Sequence, residues 1–152
     1  MPTEPTDLTG LTILGGSAQP SKNLEAFPNR SPGRFYLVML ETDEFTCLCP
    51  KTGQPDFAHI RVDYVPDQKV VESKSFKLYL WSYRNEGAFH EHVVNRILDD
   101  LVAVLDPHWC QVQGIFNIRG GIGITVKAEY TKTPEARQQW QRSKPENQAE
   151  KS

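Results

Sequence analysis

A chain of 152 residues is long enough for one domain with a real core and leaves little for a second. Lys plus Arg number 17 and Asp plus Glu 19, so the charge balance gives no sign of a nucleic-acid partner or a membrane surface. Three cysteines do not make a disulfide framework, and an odd count with a Cys-X-Cys pair fits a reducing compartment.

Residues 1–33 are rich in Pro, Gly, Ser and Thr, show little periodicity, and read as a loosely ordered arm. They lack the basic start and apolar core of a signal peptide, and no apolar run in the chain approaches the ~20 residues of a membrane span. A soluble, cytoplasmic protein is expected. Residues 34–49 open with Phe35, Tyr36, Leu37, Val38, Met39 and Leu40 and resume at Phe45, a long strand bent near 41–44. Residues 57–65 place Ile60, Val62 and Tyr64 on one face at period two. The Pro- and Gly-bearing turn between these segments makes them a hairpin.

Residues 72–83 read as a helix with Phe76, Tyr79, Leu80 and Tyr83 on one stripe. Residues 88–105 read as a stronger one: Phe89, Val93, Ile97, Leu101 and Leu105 recur every fourth residue, with Val94, Leu98 and Val102 alongside. Asp106-Pro107 stops it. Residues 109–118 and 122–130 alternate again and flank Arg119-Gly120-Gly121, a hairpin turn signal. The tail, 132–152, is polar and mixed in charge and is expected to fray, with Trp140 its one large apolar residue.

This order predicts an α+β domain over 34–131, in which two antiparallel hairpins form a four-stranded sheet and the helix pair covers one face. Such a sheet has two long edges, which invite pairing with further copies of the chain. A symmetric ring would remove that liability.

The first hairpin turn, Cys49-Pro50-Lys51-Thr52-Gly53-Gln54-Pro55-Asp56, carries the candidate chemistry. A thiol and an acid held across a tight turn can act on one small electrophile. Thiolate is the reactive form, and the nearby Lys51 is expected to favour it. A carboxyl group beside a thiolate is expected to hold its proton more tightly, which supplies a proton donor next to a nucleophile. The commoner fate of the same residue types is a buried cysteine and a turn-stabilising aspartate.

Three pieces together resemble the QueF family of nicotinamide-dependent nitrile reductases, in its short single-module form. They are the Cys49-to-Asp56 segment, Glu72-Ser73-Lys74-Ser75-Phe76-Lys77-Leu78-Tyr79, and Phe89-His90-Glu91. The resemblance implies the tunnelling fold (T-fold), shared with GTP cyclohydrolase I and the pyruvoyl-tetrahydropterin synthases, and a homo-oligomer of stacked rings with sites at subunit boundaries. It implies reduction of 7-cyano-7-deazaguanine to 7-aminomethyl-7-deazaguanine by two NADPH, without metal, in queuosine biosynthesis. Cys49 would form a thioimide with the nitrile carbon, and Asp56 would protonate the nitrogen. Val71, Glu72, Ser73, His90 and Glu91 would bind substrate, and Ser73, Lys74, Arg119 and Gly120 the cofactor.

Each of these positions also has an ordinary structural explanation. Glu72 and Ser73 suit a helix start, Glu91 suits the helix dipole, the lysines suit solvent, and Phe89 suits the core. Arg119-Gly120-Gly121-Ile122-Gly123 lacks the spacing of a dinucleotide fingerprint and is followed by a strand. Three competing functions stand beside the resemblance. They are a zinc-dependent GTP cyclohydrolase-like pterin enzyme on the same fold, a non-catalytic purine-binding ring protein, and a thiol redox protein using Cys47 and Cys49. Cys47, Cys49 and His59 match no common zinc spacing.

Overall fold

Alternating apolar residues build most of the sheet, and the two helical stripes roof it. The computed structural model describes residues 18–143 together with Pro5 and Thr9. Its elements are β1 (Ala26–Pro28), β2 (Val38–Leu48), β3 (Pro55–Val65), β4 (Lys69–Val71), α1 (Ser73–Trp81), α2 (His90–Leu105), β5 (Trp109–Arg119), β6 (Ile122–Thr131) and α3 (Pro134–Ser143). The expected four-stranded antiparallel sheet is present in the order β2-β3-β5-β6, with both helices falling between its second and third strands. The protein is therefore α+β.

The bend expected in the first long strand is a β-bulge between Thr42 and Phe45. Before it, Leu40 and Thr42 oppose the buried Val62 and Ile60; after it, Phe45 and Cys47 take the core side. One extra residue thus switches which parity faces inward. α2 buries Val93, Val94, Ile97, Leu98, Leu101 and Leu105 over β5 and β6, the stripe its 3.6-residue period predicts. α1 packs Phe76, Tyr79 and Leu80 beside β2. The helix α2 ends at Asp106, whose φ of 43° is left-handed and whose N–H donates to the Val102 carbonyl at 2.9 Å.

Helix α2 packs tightly on the sheet at Gly114. A Cβ there would lie 2.7 Å from Val94 Cγ2 and 2.9 Å from a ring carbon of Phe116. Gly114→Ala is expected to cost about 1–3 kcal/mol, the usual effect of overpacking, and to lower the thermal midpoint by several degrees. A melting curve unchanged from the parent would refute the close packing.

Two segments depart from expectation. The part of 1–33 that the structure describes from residue 18 onward is tied down. β1 pairs antiparallel with β4, Leu24 is buried, and Asn29 donates to the Asp67 carbonyl while accepting from Ser31 N–H and Tyr36 O–H. Strands of three residues are too short to show periodicity. The tail forms α3, started by Thr133, whose hydroxyl accepts from Ala136 N–H at 3.2 Å, and by Pro134 in the first turn. Residues 144–152 and the side chain of Trp140 lie outside the described residues. No described helix is long and apolar enough to cross a membrane.

Candidate active site

The turn after β2 is closed by its own backbone. Cys49 N–H donates to the Gln54 carbonyl at 2.7 Å, and Gly53 N–H to the Cys49 carbonyl at 2.9 Å, with Gly53 at φ +73°. Cys49 therefore stands just beyond the strand end, part-exposed. Cys47, two residues earlier and within β2, is fully buried in the core opposite Asp56. The α1–α2 connection is pinned beside this turn. Leu48 N–H donates to the Glu86 carbonyl at 2.8 Å, and Ala88 N–H to the Leu48 carbonyl at 3.0 Å. A Cβ at Gly87 would come within 3.0 Å of Pro50 Cα, so a glycine fits this approach.

That pinning aims the start of α2 at Asp56. The Asp56 carboxylate is buried, with 5 % of the residue exposed, and meets two partners. Arg119 Nη1 donates to Oδ1, and His90 Nε2 lies 3.3 Å from Oδ2. The His90 ring lies flat on Phe116, centroids 3.8 Å apart and planes within 6°, which fixes where its nitrogens point. Arg119 arrives from the end of β5, where Gly120 and Gly121 turn the chain at φ 57° and 77°. Its other nitrogen, Nη2, donates to Gln54 Oε1 at 2.6 Å.

The Cys49 thiol is lowered to about 7. The hydrogen bond from the Thr52 hydroxyl contributes most, followed by the backbone N–H groups of Thr52 and Lys51, with a smaller part from the Arg119 charge. The expected help from Lys51 therefore comes through its amide and not its ammonium. Burial pushes Cys47 up to about 11 and Cys110 up to about 12. One cysteine of the three is poised to react near neutrality. Alkylation by iodoacetamide is expected at Cys49 alone, its rate rising with pH through about 7 as thiolate forms and levelling above. Intact mass against pH checks this. A midpoint above about 8.5, the value of a free thiol, would contradict the geometry of the turn.

The remaining predicted residues gather elsewhere. Glu72 caps α1, accepting from Lys74 N–H at 2.8 Å and Ser75 N–H at 2.6 Å, and these bonds hold its carboxyl below the usual range. Val71 is buried, its N–H bonded to Tyr64 O–H at 3.1 Å. Ser73 lines a cleft of about 820 Å³ between α1 and β2, with Lys77, Thr42 and Thr46. Lys74 is exposed one residue on, and Glu91 projects into solvent beside His90. Among the described residues, no hydrogen bond or ion pair joins this α1 group to Cys49, Asp56, His90 or Arg119. His59 pairs with Asp43 at 2.5 Å and Glu41 at 3.3 Å, and no cluster of three or more His, Cys, Asp or Glu fit to hold a metal occurs among the described residues. Sequence reasoning missed Thr52 and Gln54, which a turn hydroxyl and amide beside a thiol signalled, and Phe116, which nothing local signalled.

An activated thiol and a buried carboxylate that share one arginine, on an α+β scaffold, form a site of the kind used for covalent catalysis. The sequence profile of the QueF-like protein family matches residues 55–135, and the chain belongs to that family. It is 63% identical over 130 residues to the NADPH-dependent 7-cyano-7-deazaguanine reductase of Syntrophus aciditrophicus (strain SB), covering 86% of this chain and 93% of that one. It is 60% identical over 117 residues to the protein of the same name from Thermomicrobium roseum, covering 77% and 91%. Among solved structures, the apo crystal structure of the archaeosine synthase QueF-Like matches with a TM-score of 0.59 at 27% identity, covering 64% of this chain and 94% of that one.

Proposed function

We propose that this chain reduces the nitrile of 7-cyano-7-deazaguanine to the primary amine of 7-aminomethyl-7-deazaguanine with two NADPH, a step toward queuosine in tRNA. The observation that carries this reading is the Cys49 thiol, lowered to about 7, in the turn that also holds the buried carboxylate of Asp56, in a chain whose relatives bear that name.

The residues divide the labour as follows. The Cys49 sulfur adds to the nitrile carbon. The thiol's proton passes to Asp56 and on to the nitrile nitrogen, leaving a neutral thioimide. NADPH supplies the hydride at both reductions. After the first, the carbon–sulfur bond breaks, the thiolate returns to Cys49, and the imine left behind takes the second hydride. Two protons are consumed overall, so Asp56 must be reloaded. It is almost sealed from solvent, whereas the His90 side chain is 16% exposed and touches it, which makes the imidazole the supply line. Ser73 and Lys74, an exposed hydroxyl and ammonium where α1 begins, suit cofactor phosphates, and Arg119 and Gly120 close on the cofactor from the β5–β6 turn.

Val71, Glu72, Ser73 and Glu91 complete the substrate pocket. Glu91 accepts the ring N–H and exocyclic amine of the guanine-like edge. Glu91→Ala is expected to weaken nitrile binding on the order of 10²-fold, with the melting temperature and oligomer unchanged. Lost stability with affinity retained would make Glu91 a helix-start residue only. Among the described residues, the outer edges of β2 and β6 have no partner strand in the four-stranded sheet. A T-fold ring closes them against neighbouring copies and brings one subunit's α1 start to the next subunit's Cys49. The deciding experiment mixes purified protein with the nitrile, records intact mass, then adds NADPH. A mass gain equal to the nitrile, discharged as NADPH is oxidised, is expected. Without a gain or oxidation the reading falls.

A further inference from the structure

We propose that Arg119 is the positioning residue of the reacting pair: its guanidinium seats the Asp56 carboxylate and the Cys49 turn against each other, with or without cofactor. The geometry is a fork. Nη1 donates to Asp56 Oδ1 and Nη2 to Gln54 Oε1, two acceptors on either side of the turn's exit. Gln54 in turn accepts the Cys49 N–H through its backbone carbonyl at 2.7 Å, so guanidinium, glutamine and nucleophile form one hydrogen-bonded unit. The fork is delivered across 63 residues of sequence by a two-glycine turn, and its side chain remains 45% exposed.

The chemistry asks for such a group. Arg119 interacts with both the Asp56 carboxylate and the Cys49 thiol, and a cation shared by two anions offsets their mutual repulsion. The positive charge of Arg119 also bears on Cys49 itself, lowering the thiol and being raised in return. A planar guanidinium spans two acceptors at once, and an ammonium does not. A role confined to cofactor phosphate would leave the two hydrogen bonds to Asp56 and Gln54 without a purpose.

The inference rests on Cys49 and Asp56 being the reacting pair, and its test needs no nicotinamide. Wild type, Arg119→Gln, Arg119→Lys and Gln54→Ala are compared by the pH midpoint of iodoacetamide alkylation and by the rate of adduct formation with the nitrile. NADPH affinity is measured separately. Arg119→Gln is expected to raise the alkylation midpoint by a fraction of a pH unit, since the Thr52 and Lys51 hydrogen bonds remain, and to slow adduct formation about tenfold near neutrality. Arg119→Lys keeps the charge and restores the midpoint but not the full rate. Gln54→Ala, which keeps the charge and loosens its seat, slows the adduct without moving the midpoint, and it decides the matter if Arg119→Gln does not fold. Variants that keep the wild-type midpoint and adduct rate while losing only NADPH affinity would overturn the proposal. If wild type forms no adduct, the nitrile reading falls by itself, and the alkylation midpoint still judges the hold of Arg119 on Cys49.

Discussion

Cys49→Ala is expected to abolish nitrile reduction, with turnover falling on the order of 10³-fold or more and no mass adduct at any nitrile concentration. A nitrile carbon resists hydride in water. Once sulfur is bonded to it, the carbon belongs to a polarised thioimide, and the barrier drops. The substitution removes one part-exposed sulfur from a turn whose closure is backbone to backbone, through Gln54 and Gly53, so the fold is expected to survive. Cys49→Ser tests the same point from the other side. A hydroxyl in that place stays protonated where the thiol, at about 7, does not, so the serine variant should be equally silent. Intact mass spectrometry and NADPH absorbance read both. An adduct persisting in Cys49→Ala would move the nucleophile elsewhere.

Asp56→Asn is expected to slow adduct formation and turnover by about 10²–10⁴-fold, the range lost with a general acid, while nitrile affinity changes little. The amide still accepts from Arg119, so the seat remains. What it loses is the capacity to take a proton and give it back. The cost in stability is expected to be small, because the guanidinium left facing an amide is 45% exposed and water can compensate it. The slow variant should still reach a full mass adduct given time, since the sulfur is intact. Loss of binding with the rate preserved would make Asp56 a pocket wall and not a proton carrier.

The sheet and both main helices were legible because each is long enough to repeat its period. Ile60, Val62 and Tyr64, and Val93, Val94, Ile97, Leu98, Leu101 and Leu105, are buried where period two and period 3.6 place them. Phe89, expected to begin the same stripe, stands instead at the helix start and is 59% exposed, as the turn before α2 carries it off the packed face. The Cys49–Asp56 turn was legible because its partners are close in sequence. The grip of Arg119 on Asp56 was not, since it depends on the end of β5 returning to the start of β3, a product of strand order that no local pattern encodes. The source of the thiol's acidity was misjudged for a related reason. Lys51 looked useful for its charge, but a turn points its amide inward. The tail hid a helix behind polar composition, although Thr133-Pro134-Glu135 is a helix-start signal and the residues that follow favour helix.

The order of the strands has a kinetic side. Each hairpin of the four-stranded sheet joins neighbours in sequence and can form early. The β3–β5 ladder, Ala58 against Phe116 through Val65 against Trp109, must close a loop that contains both helices. Asp56, His90 and Arg119 belong to three segments that meet only when that loop closes. The acidity of Cys49 owes part of itself to the last of them. During refolding, then, the last part of the thiol's acidity should arrive only with the β3–β5 ladder, so alkylation of this one cysteine would time the closing of that loop.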